Sequence, residues 1–148
     1  MKRLDLTNAS NLLVIGDAAF NNCSALETVK TGTSVKKINN GAFAYCKALK
    51  LVDFSQSTNL ETIGDESFAY CFSLEPFGIP KSVTSFGENV FFYFDNKDDF
   101  EWKTLPNLKT ITIIDGEPQA LTFRLYELYP AQTQKIWDES HSIYNAFG

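Results

Sequence analysis

The sequence predicts an α/β solenoid: short parallel strands on a concave face, short helices or 3-10 turns on the convex face, and a helical C-terminal cap. Two observations carry this expectation. Phe20, Phe43, Phe68 and Phe91 recur at intervals of 23, 25 and 23 residues, with Cys23, Cys46 and Cys71 three residues behind the first three. Leu26, Leu49 and Leu74 follow three residues further on, and Ile15, Ile38, Ile63 and Phe86 lie five residues ahead of the phenylalanines. A period of this length marks units that bury their apolar faces only against their neighbours.

Within a unit, apolar residues at relative positions 1, 4 and 6 describe a short strand with one face inward, placing strands at 1–6, 26–31, 49–54, 74–79 and 108–113. Phe and Cys three apart, on a stretch rich in Ala and Ser, suit a helical turn that lays both side chains on the core. Unit lengths alternate, so a 48-residue double period pairs Asp5 with Asp53, Asp17 with Asp65 and Tyr45 with Tyr93. The repeated Ile-Gly-Asp of 15–17 and 63–65 marks a bend in which Gly takes unusual backbone angles and Asp caps the helix that follows.

Leu60-Glu61-Thr62-Ile63-Gly64-Asp65-Glu66-Ser67-Phe68-Ala69-Tyr70-Cys71-Phe72-Ser73-Leu74 resembles the BspA-type (treponemal class) leucine-rich repeat, whose units read L-x-x-I-G-x-x-A-F-x-x-C-x-x-L. Leu12 to Leu26 and Val35 to Leu49 fit the same pattern, with Asn39 where Gly is usual and Ser67 where Ala is usual. The resemblance spans residues 1–94 well and 105–114 more weakly. It implies a curved solenoid used for protein binding, often at the surfaces of bacteria and protists, with adhesion to host extracellular-matrix proteins proposed for some members. It does not imply catalysis, and cell-surface or secreted localisation follows from it alone.

The domain reading is therefore four to five repeats over 1–114, interrupted by an insertion near 95–104, and a helical cap or tail over 115–148. The interruption is visible because Leu108 arrives 34 residues after Leu74. The inserted Asp95–Trp102 segment is acidic and reads as a solvated loop rather than a cation site, since it lacks the ordered spacing and turn glycine of a calcium loop. Asp98, Asp99, Phe100 and Trp102 are its candidate partner contacts, although Phe100 and Trp102 are expected first to pack over the end of the array. Ala120 to Tyr129 has helical apolar spacing and stops at Pro130, and Thr133 to Tyr144 is a second amphipathic stretch.

Stacked strands turn equivalent residues into columns. The second position reads Lys2, Glu27, Lys50, Glu75, Lys109, and the fifth reads Asp5, Lys30, Asp53, Gly78, Thr112. Charge alternates down both, which fixes register between adjacent strands and also makes a mixed-charge platform for a protein partner. The partner-binding candidates are thus Lys2, Glu27, Lys30, Lys50, Asp53, Glu75 and Lys109. An alternative is an assembly module that associates through its open ends, because the first strand lacks an N-terminal neighbour and unpaired edges invite pairing.

Several functions are excluded or disfavoured. The net charge of −5 and the absence of a basic cluster argue against nucleic acid. No window approaches the ~20 apolar residues of a membrane span, and Met1 to Asn8 lacks the apolar core of a signal peptide. Read literally the chain is soluble and not exported by the standard route; read otherwise it was cut from a longer array. The cysteine spacings match no zinc arrangement, and three equivalent thiols read as a buried ladder with no metal and no cofactor. His141 is the single histidine, remote from every cysteine, the glycines are scattered as repeat turns, and Asp17 and Asp65 are repeat equivalents. No enzyme is expected, and no catalytic residue is assigned.

Overall fold

A computed structural model describes residues 1–94 and 101–134. Successive coils of the chain stack on one another, and each coil has three sides. The first side is a sheet of β1 (Arg3–Leu6), β3 (Thr28–Thr31) and β5 (Leu51–Asp53), and the second holds β2 (Val14–Ile15), β4 (Lys37–Ile38), β6 (Thr62–Ile63) and β8 (Ser85–Phe86). All these pairings are parallel, with Ile15, Ile38, Ile63 and Phe86 in register. A fourth long-side strand, β7 (Gly78–Pro80), pairs not with β5 but with β11 (Thr112–Ile114).

The break between β5 and β7 has a sequence cause. Thr28 and Leu51 donate their N–H groups to Lys2 and Glu27 in the preceding coil. The equivalent residue in the next coil is Pro76, which has no N–H to donate. Glu75 N still reaches Lys50 O at 2.9 Å, so the coils stay stacked while the ladder is interrupted.

The strands begin later than the sequence pattern places them, by two residues in β1, β3 and β5 and by four in β7 and β11. Leu26, Leu49 and Leu74, taken there as strand starts, close turns instead: their N–H groups bond to Cys23, Cys46 and Cys71 O at 3.0–3.1 Å. Their side chains are fully buried all the same, which is why the apolar pattern extends past the strand.

On the third side the expected short helices or 3-10 turns take the second form: runs of alternating bonds, half of them three-residue turn bonds, with no α-helix among the described residues of that side. Ala18, Phe20 and Asn22 donate across to Asn40, Ala42 and Ala44 of the next coil, whereas Ala19, Asn21 and Cys23 donate back three residues within their own coil. The next two coils repeat this at 41–46 and 66–71. The alternation needs left-handed residues bracketing each phenylalanine, and Ala18, Asn22, Gly41, Tyr45, Glu66 and Tyr70 all have φ between 54° and 65°. Six consecutive N–H groups are thereby satisfied in each of these three coils.

The Ile-Gly-Asp bend also works between coils. Asp17 Oδ1 accepts the N–H of Asn40 (3.1 Å), Asn40 Oδ1 that of Asp65 (2.8 Å), and Asp65 Oδ1 that of Glu88 (2.8 Å). These side chains staple one coil to the next and cap no helix.

The interior follows the period. Phe20, Phe43 and Phe68 stack with centroids 5.3 and 5.4 Å apart and planes within 8°, and Phe91 continues the column at 6.0 Å. Cys46 and Cys71 are buried and Cys23 is half-buried. Cys46 Sγ donates to Phe20 O (3.2 Å) and Cys71 Sγ to Phe43 O (3.1 Å), and the Cys46 thiol together with burial pushes Cys71 well above the usual thiol range. A thiol in that state is inert packing rather than a nucleophile.

The array changes where the period fails. Strand β9 (Phe92–Phe94) pairs antiparallel with β10 (Trp102–Thr104), setting Phe94 opposite Trp102. Helix α1 (Gln119–Leu128) ends before Pro130 and lies over the last coil. Tyr129, fully buried, packs on Phe92, Phe91 and Phe86 with centroids 4.8–6.3 Å apart. Its hydroxyl accepts the N–H of Phe91 at 3.0 Å, the bond that a further coil would otherwise take. Arg124 Nε donates to Phe86 O at the edge of β8, and its guanidinium pairs with Glu88 at 2.7 Å. Of the second amphipathic stretch, Thr133 and Gln134 are described; His141 lies outside the described residues.

Candidate protein-binding surface

The fifth-position column forms as the count requires: Asp5, Lys30 and Asp53 are direct register partners on β1, β3 and β5. Lys30 Nζ lies 3.9 Å from Asp53 Oδ2 with both side chains about two-fifths exposed. Each aspartate is also held by its own strand end. Thr7 donates its hydroxyl (2.7 Å) and its N–H (3.0 Å) to Asp5 Oδ1, and Ser55 N donates to Asp53 Oδ1 at 2.8 Å. Hydrogen bonds from Thr7 and Ser55, with Lys30 nearby, hold both carboxyls below their ordinary range.

The second-position residues lie just before the strands, not inside them. Lys2, Glu27, Lys50 and Glu75 are nevertheless stacked, because the N–H of each of the last three bonds to the carbonyl of the one before at 2.7–2.9 Å. All four side chains are exposed, as is Lys109 ahead of β11. Lys2 and Asp5, Glu27 and Lys30, Lys50 and Asp53 therefore set opposite signs at the two ends of successive strands, and the order inverts at every coil. Leu51 is 52% exposed within this checkerboard. Beyond Asp53 the fifth column loses its charge at Gly78 and Thr112, and Ile114 folds across Gly78 so closely that a methyl group there would collide with it.

Of the loop candidates, Asp98, Asp99 and Phe100 lie outside the described residues. Trp102 is 39% exposed and packs on the flank of the array, 5.7 Å from Phe94 and 6.4 Å from Tyr70 between ring centroids. The end of the array, where the sequence pattern places it, is occupied by Tyr129. On the flank, beside Trp102, Tyr45 and Tyr70 stack at 4.4 Å. Their repeat-equivalent positions were a signal for this aromatic pair, but both look like ordinary core positions in the sequence; Tyr45 is exposed and Tyr70 half-buried, each with a left-handed backbone. Among the described residues no three His, Cys, Asp or Glu side chains could share a metal ion, and no helix is long and apolar enough to cross a membrane.

A family model described as the BspA type leucine rich repeat region (6 copies) matches residues 2–98. The chain is a BspA-type leucine-rich repeat protein. Similar solved structures include a leucine rich cell surface protein from Faecalibacterium prausnitzii, 26% identical with a TM-score of 0.59, which covers 75% of this chain and 25% of that one. The pneumococcal vaccine antigen PcpA is 27% identical with a TM-score of 0.54, over 78% of this chain and 23% of that one. This leucine-rich repeat chain thus spans about a quarter of each of those proteins. No curated protein matches its sequence.

Proposed function

We propose that this chain is a non-catalytic binding module that holds a protein partner on its concave strand face. Residues 1–114 act as the repeat array, and 115–148 as its cap. The observation that carries the reading is the exposed checkerboard of Lys2, Asp5, Glu27, Lys30, Lys50, Asp53 and Glu75, aligned by paired backbone with Lys30 and Asp53 in contact. Its charges largely cancel, three positive against four negative, so it selects a partner of matching mixed charge and offers little to a strongly charged polymer. Similarity to a cell surface protein supports a site at the cell surface, and a host matrix or surface protein is the partner that the resemblance to this repeat family implies.

A panel of immobilised collagen, laminin and fibronectin provides the test. Lys50→Glu and Glu75→Lys should each reduce capture at least tenfold without changing the oligomeric state, and the double reversal should not restore the order of signs that Lys30 and Asp53 set. Unchanged capture with altered self-association would instead favour an assembly module. Exposed Leu13 and Val14 at the edge of β2, beside half-buried Leu12 and Phe20, are the observation behind that second reading.

A further inference from the structure

The turns that follow the long-side strands differ in length from coil to coil. Eleven residues separate Leu49 from Leu60, but only nine separate Leu26 from Val35 and Leu74 from Val83. A short turn between two longer neighbours leaves a notch. Over the second coil that notch is closed: Ser57 Oγ meets the Thr31 hydroxyl, Asn59 Nδ2 donates to Thr33 O at 2.8 Å, and a Cβ on Gly32 would lie 2.9 Å from the Thr7 backbone. Over the fourth coil it stays open among the described residues, as a cleft of about 600 Å³ between the Ser55–Thr58 turn and the segment from Ile114 to Pro118.

We infer that this cleft anchors an extended segment of the partner polypeptide, one that carries an apolar side chain next to a lysine or arginine. This rests on the concave-face reading and adds the anchor to it. The cleft has the volume of a ligand site. Pro80 and Pro118 at its walls have no N–H to offer, and Phe54 and Ile114 complete an apolar floor. Asp115 and Glu117 at the rim outnumber Lys81, whose stem lies against Gly116, where a Cβ would be 3.1 Å from it. The rim thus favours a basic neighbour. Continuity with the checkerboard is direct, since Ser55, which lines the cleft, is the residue whose N–H the Asp53 carboxylate holds at 2.8 Å. An apolar side chain seated in a pocket beside a polar platform is the arrangement in which few residues dominate binding.

The test is an amide-shift titration with the blocked pentapeptide Gly-Lys-Leu-Lys-Gly, its glutamate counterpart (Glu for both Lys) and its serine counterpart (Ser for Leu). The lysine peptide should shift Ser55, Thr58, Lys81 and Ser82 saturably, and both counterparts should bind at least tenfold more weakly. Thr58→Trp fills the cleft from an exposed position and should abolish the shifts at Lys81 and Ser82. Asp115→Asn keeps a residue tolerant of the local φ of 59° and should weaken binding severalfold. Equal affinity for the glutamate peptide, or binding indifferent to Thr58→Trp, overturns the inference. Shifts confined to Lys30, Leu51 and Asp53 overturn it too while leaving the concave-face reading standing. Cleft shifts together with partner capture indifferent to Lys50→Glu keep the cleft and remove that reading.

Discussion

Gly16 and Gly64 stand at equivalent bends, and their surroundings differ sharply. A Cβ on Gly64 would lie 2.8 Å from the backbone of Asn39 and Asn40, atoms that cannot move without breaking the staple from Asn40 to Asp65, whereas Gly16 has nothing within 4 Å. Gly64→Ala should cost about 1–3 kcal/mol in urea unfolding and Gly16→Ala about 0.5 kcal/mol or less; similar losses at both would show that the coils do not approach this closely. Charge acts at the same scale. The Asp53 carboxyl, held low by Ser55 and Lys30, contributes stability that is fully present above its unfolded pKa of about 4 and is lost as pH falls through the lower folded value. Asp53→Asn should therefore flatten the decline of the urea midpoint below about pH 4, while leaving the midpoint at neutral pH less affected than the loss of a buried pair would.

At the scale of elements, the instructive contrast is between the third side of each coil and helix α1. Both carry apolar residues three and four apart, and only one becomes a helix. In α1 the residues from Gln119 to Leu128 bond along their own axis and bury Leu121 and Leu125 on the last coil. In the coils, half of the N–H groups are drawn to the neighbouring coil, an option that exists only once coils are stacked. The helix then leads into Tyr129, whose hydroxyl accepts the Phe91 N–H that the last coil leaves open. Tyr129→Phe keeps the ring and removes the acceptor for Phe91 N–H. A buried donor left unpaired costs about 1–3 kcal/mol, so thermal and urea unfolding should both register that loss; a change smaller than about 0.5 kcal/mol would mean that the end is held by packing alone.

For the whole molecule, a stack in which each coil touches only its neighbours has stability that varies along its axis. Phe43 and Phe68 sit between coils on both sides, and Phe91 is closed by Tyr129. Phe20 has a neighbour on one side among the described residues and is only half-buried. Amide exchange in this chain should accordingly be slowest at Phe43, Tyr45 and Phe68, and faster at Leu4, Leu6 and Ile15 in the first coil. Uniform protection from Leu4 to Phe68 would contradict an axial gradient. The checkerboard runs from the less protected first coil, at Lys2 and Asp5, into the better-protected inner ones, and the cleft lies past the ends of β5 and β7, whose pairing Pro76 interrupts.

Composition and period by themselves determined that the chain is a solenoid, that Phe, Cys and Leu wall its core, and that Asp5, Lys30 and Asp53 share a column. Those features repeat in one dimension, and one-dimensional order can be counted. The tertiary structure alone decided that Asp17, Asn40 and Asp65 staple coils rather than cap helices, that Tyr129 closes the stack, and that one of two similar notches stays open. Each of these depends on which backbone atoms of different coils come within hydrogen-bond distance, and no count along the chain contains that distance.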